Sequence, residues 1–147
     1  MGISACELAQ LPCPPQSVIT VFTLSLDTPE NIAKVTKLNS HRPLLNLKLG
    51  RDRERVAAVH NAAPNCRLVI DANTGLTIEQ LKSYLPRLKQ LGVEMVEQPL
   101  PVGQDWQLKG LDSILPICAD ESCMIGTSLA MAPALLLAQV AKWLEHV

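Results

Sequence analysis

The segment Arg67 to Leu100, RLVIDANTGLTIEQLKSYLPRLKQLGVEMVEQPL, reads as strand, turn, helix, strand. Arg67 to Ile70 is a short apolar run closed by Asp71. Thr77 to Leu91 places Ile78, Leu81, Leu85 and Leu88 on one helical face, with a kink expected at Pro86 and a stop at Gly92. Val93 to Val96 is a second short run, ending at Glu97. Strands this short and apolar, separated by a helix, are parallel βα units whose helices cover the sheet.

The same pitch extends in both directions. Upstream, Val18 to Leu26 and Leu44 to Leu49 read as strands. Asp27-Thr28-Pro29-Glu30 starts a helix that runs to about Leu38. Arg51 to Ala63 carries Val56, Val59 and Ala63 at helical spacing. Downstream, Asp105 to Leu111 reads as a short helix and Ile114 to Ala119 holds a fifth strand. Pro133 opens a last helix with Leu136, Val140, Trp143, Leu144 and Val147 on one side.

The chain has 147 residues, 48% hydrophobic and 18% charged, with a formal net charge of −1. That supports one domain with a real core and excludes disorder. With no basic run and only 3% aromatic residues, no nucleic-acid partner is expected. Cys6, Cys13, Cys66, Cys118 and Cys123 form no C-x-x-C pair, so they read as thiols of a reducing, cytoplasmic compartment. No Lys or Arg precedes Lys34, so a secretory signal is not expected. Ser122 to Ala141 carries no charge, but polar residues and Pro133 dilute it. A buried or partner-facing helix is expected there, and no membrane.

Lys48, Asp71, Glu97 and Asp120 follow one another at intervals of 23, 26 and 23 residues, each at the end of a strand. In a (β/α)8 barrel that rim carries the catalytic groups. A doubly wound sheet would place a ligand at a switch point instead, and no G-x-G-x-x-G or Walker sequence supports a nucleotide site. Each residue alone has a plainer reading: turn former, solvated strand end, helix cap or snorkelling lysine. The shared pitch favours a joint one. Three carboxylates suit Mg²⁺. A divalent ion favours the neutral form of Lys48, which can then act as a general base. That pairing fits removal of a proton α to a carboxylate.

At LLNLKLG (44–50), LVIDANTGLT (68–77), LGVEMVEQPLP (91–101) and LPICADES (115–122) the chain resembles the enolase superfamily, in its muconate-lactonizing branch, nearest the dipeptide epimerases. The resemblance implies a TIM-type barrel, here partial, with about five βα units. It implies Asp71, Glu97 and Asp120 as Mg²⁺ ligands and Lys48 as one of two lysines flanking the substrate α-carbon. Asn46 and Asn73 take auxiliary places, Asn46 standing where the family's K-x-K motif has its first lysine. The second catalytic lysine and the capping domain have no counterpart. The expected organisation is an N-terminal remnant (1–17), a partial barrel (18–128) and a divergent C-terminal helix (129–147). Eight units from Val18 would need about 192 residues, and 130 remain. The expected activity is a dipeptide epimerase-like isomerase acting on a dipeptide or other carboxylate. The alternatives are o-succinylbenzoate synthase, a cycloisomerase, or an inactive metal-binding fragment. An open five-strand piece would expose sheet edges that invite a second copy, giving a homo-oligomer.

Overall fold

The computed structural model describes residue 3, residues 19–50 and residues 54–125. Five strands form one parallel sheet: β1 (Phe22–Leu24), β2 (Leu44–Lys48), β3 (Arg67–Asp71), β4 (Val93–Glu97) and β5 (Ile117–Cys118). Between them lie α1 (Pro29–Leu38), α2 (Glu54–Ala62), α3 (Ile78–Gln90) and a 3-10 turn, Asp105–Leu108; α4 (Glu121–Ile125) follows β5. The spatial order of the strands is their order in the chain, β1 to β5. An open doubly wound sheet reverses direction at a switch point, and this sheet does not. Successive crossovers of one hand put every helix on the same face, as in a barrel wall.

The two faces differ as that winding requires. Leu24, Leu45, Leu47, Leu49, Leu68, Ile70 and Val96 point outward into one core with Ile32, Val56, Val59, Leu81, Leu85 and Leu88 from the helices. The alternate positions Leu44, Val69 and Cys118 are also buried but lie outside that cluster, on the inner face. Leu45, Leu47, Ile70, Leu81 and Val96 are fully buried, each adding roughly 1.5–3 kcal/mol of transfer free energy.

Local signals explain most boundaries. Thr28 caps α1 by accepting from the Asn31 amide, with Pro29 at the first turn. Thr77 and Gln80 form a reciprocal capping box on α3. Thr77→Ala is expected to lower stability by about 1 kcal/mol, read as a shifted urea midpoint at unchanged slope. Helix α3 runs on through Pro86 as one element.

Some expectations need correction. β1 is three residues rather than the whole run from Val18, because pairing with β2 covers only Phe22 to Leu24. β5 is two residues, since only Ile117 and Cys118 find register partners on β4. The expected helix from Asp105 is a single 3-10 turn. The start of the helix expected from Arg51 and the whole of the last helix lie outside the described residues. Among the described residues no helix is long and apolar enough to cross a membrane.

Candidate active site

Lys48, Asp71 and Glu97 stand side by side at the carboxyl ends of β2, β3 and β4, as register partners of one another. Glu97 pairs with Cys118, and Asp120 lies two residues beyond it, past the end of β5 and near enough for its charge to act on Glu97. The four residues picked out by their pitch therefore share one rim.

Glu97 reaches that rim through an irregularity. Val93 packs into the helix-facing core, so strict alternation would turn Glu97 toward the helices as well. The register between β3 and β4 slips after Leu68: Val93 opposes Leu68, Met95 opposes Val69, and Glu94 is the extra residue. This bulge swaps the faces and turns Glu97 inward. Arg67 grips the Glu94 carboxylate, with Nε 3.1 and 3.0 Å from its two oxygens and a second nitrogen at 2.9 Å.

One direct side-chain contact joins two of the four. Lys48 Nζ lies 2.6 Å from Asp71 Oδ2, and the Asp71 side chain is 4% exposed. The other Asp71 oxygen accepts from the Asn73 amide at 2.8 Å. Asp71 holds the Lys48 ammonium charged and raises its pKa above the ordinary lysine value. This charged form belongs to the metal-free arrangement, in which Asp71 is engaged with the ammonium; the neutral Lys48 expected from the sequence is the form expected beside a divalent ion.

Burial, then the neighbouring Asp71 and Asp120 carboxylates, push the Glu97 carboxyl up from 4.5 to about 7, against the opposing pull of Lys48. Below about pH 7 the metal-free native state therefore prefers Glu97 protonated. The associated stability is present below the ordinary glutamate range and is lost as pH rises through about 7. Metal-free chain is expected to lose on the order of 1–2 kcal/mol between pH 5 and pH 8, allowing for solvent screening. Denaturant midpoints across that range check this, and Glu97→Gln should flatten the decline.

Backbone strain collects at the same place. Asn73, Thr74 and Gln98 all have positive φ, at 45°, 63° and 33°. For a β-branched residue such as Thr74 that is a genuine outlier, and strain of this kind clusters at functional sites. Asn73 Nδ2 donates to Glu121 Oε1 at 3.3 Å, while Glu121 Oε2 is buried without a partner. Buried Asn46, two residues before Lys48 on the same face, likewise has an unpartnered Oδ1.

Among the described residues no three acidic, His or Cys side chains converge into a closed metal cluster. The donor set nevertheless suits a hard cation: carboxylates at the ends of two adjacent strands and just past a third, one of them disfavoured as a charge by the others, with a buried Glu121 oxygen left unsatisfied. In the metal-free chain Lys48 occupies one oxygen of Asp71 and the Asn73 amide the other. A groove of about 670 Å³ runs beside β5 between Leu108, Leu111, Ile114 and Cys123, and none of the three carboxylates lines it. Sequence reasoning did not single out Glu121, Gln98 or the Arg67–Glu94 pair. Glu121 directly follows Asp120 and Gln98 directly follows Glu97, so adjacency to the pitch residues was the available signal.

Residues 28–144 match the model of the enolase C-terminal domain-like family. The chain belongs to that family. It is 39% identical over 119 residues to the L-Ala-D/L-Glu epimerase of Escherichia coli K12, covering 78% of this chain and 37% of that one. It is 31% identical over 176 residues to an N-acetyl-D-glutamate racemase from a Pseudoalteromonas species, covering 86% and 56%. Its fold superposes on an enolase family member from Agrobacterium tumefaciens with homology to dipeptide epimerases, solved with sodium and L-Ala-L-Glu. That match has TM-score 0.72 and 38% identity, and covers 80% of this chain and 36% of that one. This enolase superfamily member therefore spans about half or less of the length of these curated relatives.

Proposed function

We propose that this chain carries the metal-binding and single-base part of an isomerase that removes the proton α to a carboxylate in an N-acylated glutamate or a related dipeptide. The observation that carries the reading is the row Lys48, Asp71, Glu97 in lateral register, with Asp120 one step beyond. The relatives support the substrate class. One is named for L-Ala-D/L-Glu and another for N-acetyl-D-glutamate. Both names describe a glutamate with an acylated nitrogen.

Asp71, Glu97 and Asp120 would hold Mg²⁺, which supplies positive charge to a substrate carboxylate whose α-carbon is losing its proton. Lys48 takes that proton at Nζ. To do so Lys48, whose side chain is partly exposed, must first give its own proton to solvent and release its hold on Asp71 Oδ2. Once Asp71 is engaged elsewhere, the interaction that keeps Lys48 charged is weakened. Asn46, buried beside Lys48 with a free acceptor, is suited to receive a hydrogen bond from the Lys48 ammonium or from substrate. Lys48, the only lysine on a strand among the described residues, would serve exchange on one face of the α-carbon.

The reading is tested by titrating ¹⁵N-labelled chain with MgCl₂. Saturable shifts of the Asp71, Glu97 and Asp120 amides are expected. Shifts absent from all three overturn the assignment of these carboxylates.

A further inference from the structure

Gln98 follows Glu97 at the top of β4 and is fully buried. It sits at φ 33°, a conformation that a side chain disfavours. Every part of it is used. Its backbone N–H donates to the Cys118 carbonyl at 2.8 Å, and its carbonyl accepts from the Thr74 amide at 2.8 Å. The side-chain oxygen accepts from the Asp120 amide at 2.8 Å and the Ser122 amide at 3.1 Å. The side-chain nitrogen donates to the Leu100 carbonyl at 2.9 Å and to Ser122 Oγ at 2.8 Å, with Asp105 Oδ1 at 3.4 Å. Ser122 Oγ in turn donates to Asp105 Oδ2 at 2.6 Å.

We propose that Gln98 is a positioning residue that clamps the Asp120 turn to the end of β4, setting the Glu97–Asp120 separation so that both carboxylates can meet one cation. This rests on the metal-ligand reading of those two residues. Asp120 is exposed and lies beyond the last strand pair, so strand pairing does not hold it. Its own amide and that of Ser122 are held by a single oxygen, carried on the residue next to Glu97. The clamp needs an acceptor and a donor on one planar group at this reach. Methionine offers no donor and only a weak acceptor, and asparagine is one methylene short. Full burial keeps the amide from touching substrate, so its effect passes through Asp120.

The test compares the full chain with Gln98→Met, with Ser122→Ala, which removes one arm and leaves the side-chain oxygen in place, and with Ile32→Val, a mild change in the distant core. Amide hydrogen exchange without metal is read first. Gln98→Met should speed exchange at Asp120 and Ser122 by tenfold or more, and Ile32→Val should not single these amides out. Unchanged exchange at both amides in Gln98→Met overturns the clamp whether or not metal binds. MgCl₂ titration follows. Weakening of at least tenfold in Gln98→Met, of a few-fold in Ser122→Ala, and of less than twofold in Ile32→Val is expected. Equal affinity in Gln98→Met and the unsubstituted chain overturns the positioning role while leaving the site intact. Should the unsubstituted chain show no Mg²⁺ response, the metal site fails and the cation-setting role with it, while the exchange data still decide the clamp. If Gln98→Met does not fold, Ser122→Ala decides: an effect no larger than that of Ile32→Val on exchange and affinity overturns the proposal.

Discussion

Replacing Lys48 by Met should lower Mg²⁺-dependent exchange of the substrate α-proton by at least about 10³-fold, the larger end of what a positioned base contributes. Met keeps most of the apolar stem and removes the nitrogen that lies 2.6 Å from Asp71. The loss should fall on turnover rather than on Mg²⁺ affinity, because Lys48 competes with the cation for Asp71. Metal affinity in Lys48→Met should be equal to or tighter than in the unsubstituted chain, while the α-proton signal of L-Ala-L-Glu in D₂O stays constant. A variant that exchanges at the original rate would remove Lys48 from the chemistry.

The two acid-to-amide changes Asp71→Asn and Glu97→Gln should part company in stability and agree in metal binding. Asp71 is buried and satisfies the Lys48 ammonium and the Asn73 amide. Asp71→Asn leaves a half-buried ammonium without its counter-ion, and should cost about 1–3 kcal/mol in metal-free chain. Glu97 is the opposite case: burial and its acidic neighbours disfavour its charge. Glu97→Gln should therefore stabilise metal-free chain at pH 8. Both variants should lose Mg²⁺ affinity by about 100-fold or more, equivalent to roughly 2.7 kcal/mol. Calorimetric titration together with urea melts at pH 8 reads all four quantities. Stability changes of the same sign would contradict the electrostatics described for the rim.

The contrast between Asp71 and Glu97 also shows what could be read from the chain and what could not. Pitch alone brought Lys48, Asp71, Glu97 and Asp120 to one rim, because parallel βα units place equivalent positions at equivalent heights. The family motifs around them pointed to the same superfamily that the comparisons show. The direction in which Glu97 faces was hidden. Strict alternation from Val93 points it toward the helices, and the one-residue bulge at Glu94 reverses that. A bulge depends on the register between two strands, and no single strand's composition displays it. The role of Gln98 was hidden for a related reason. Its side-chain partners Asp120 and Ser122 lie 22 and 24 residues away, and its positive φ is a property of the folded turn. Strand ends misled in a simpler way. Val18 to Leu26 has strand composition throughout, but β2 offers partners to three of its residues.

Lys48 and the Asp71, Glu97 and Asp120 carboxylates, on the proposed function, form one Mg²⁺-assisted site for removing the proton α to a carboxylate. Proton NMR of L-Ala-L-Glu in D₂O with the full chain measures this most directly, run with MgCl₂, with EDTA, and with Lys48→Met, alongside N-acetylglutamate as a second substrate. Slow loss of the glutamyl α-proton signal is expected, dependent on Mg²⁺ and on Lys48. No loss under any condition, or loss unchanged by EDTA or by Lys48→Met, would contradict that proposal.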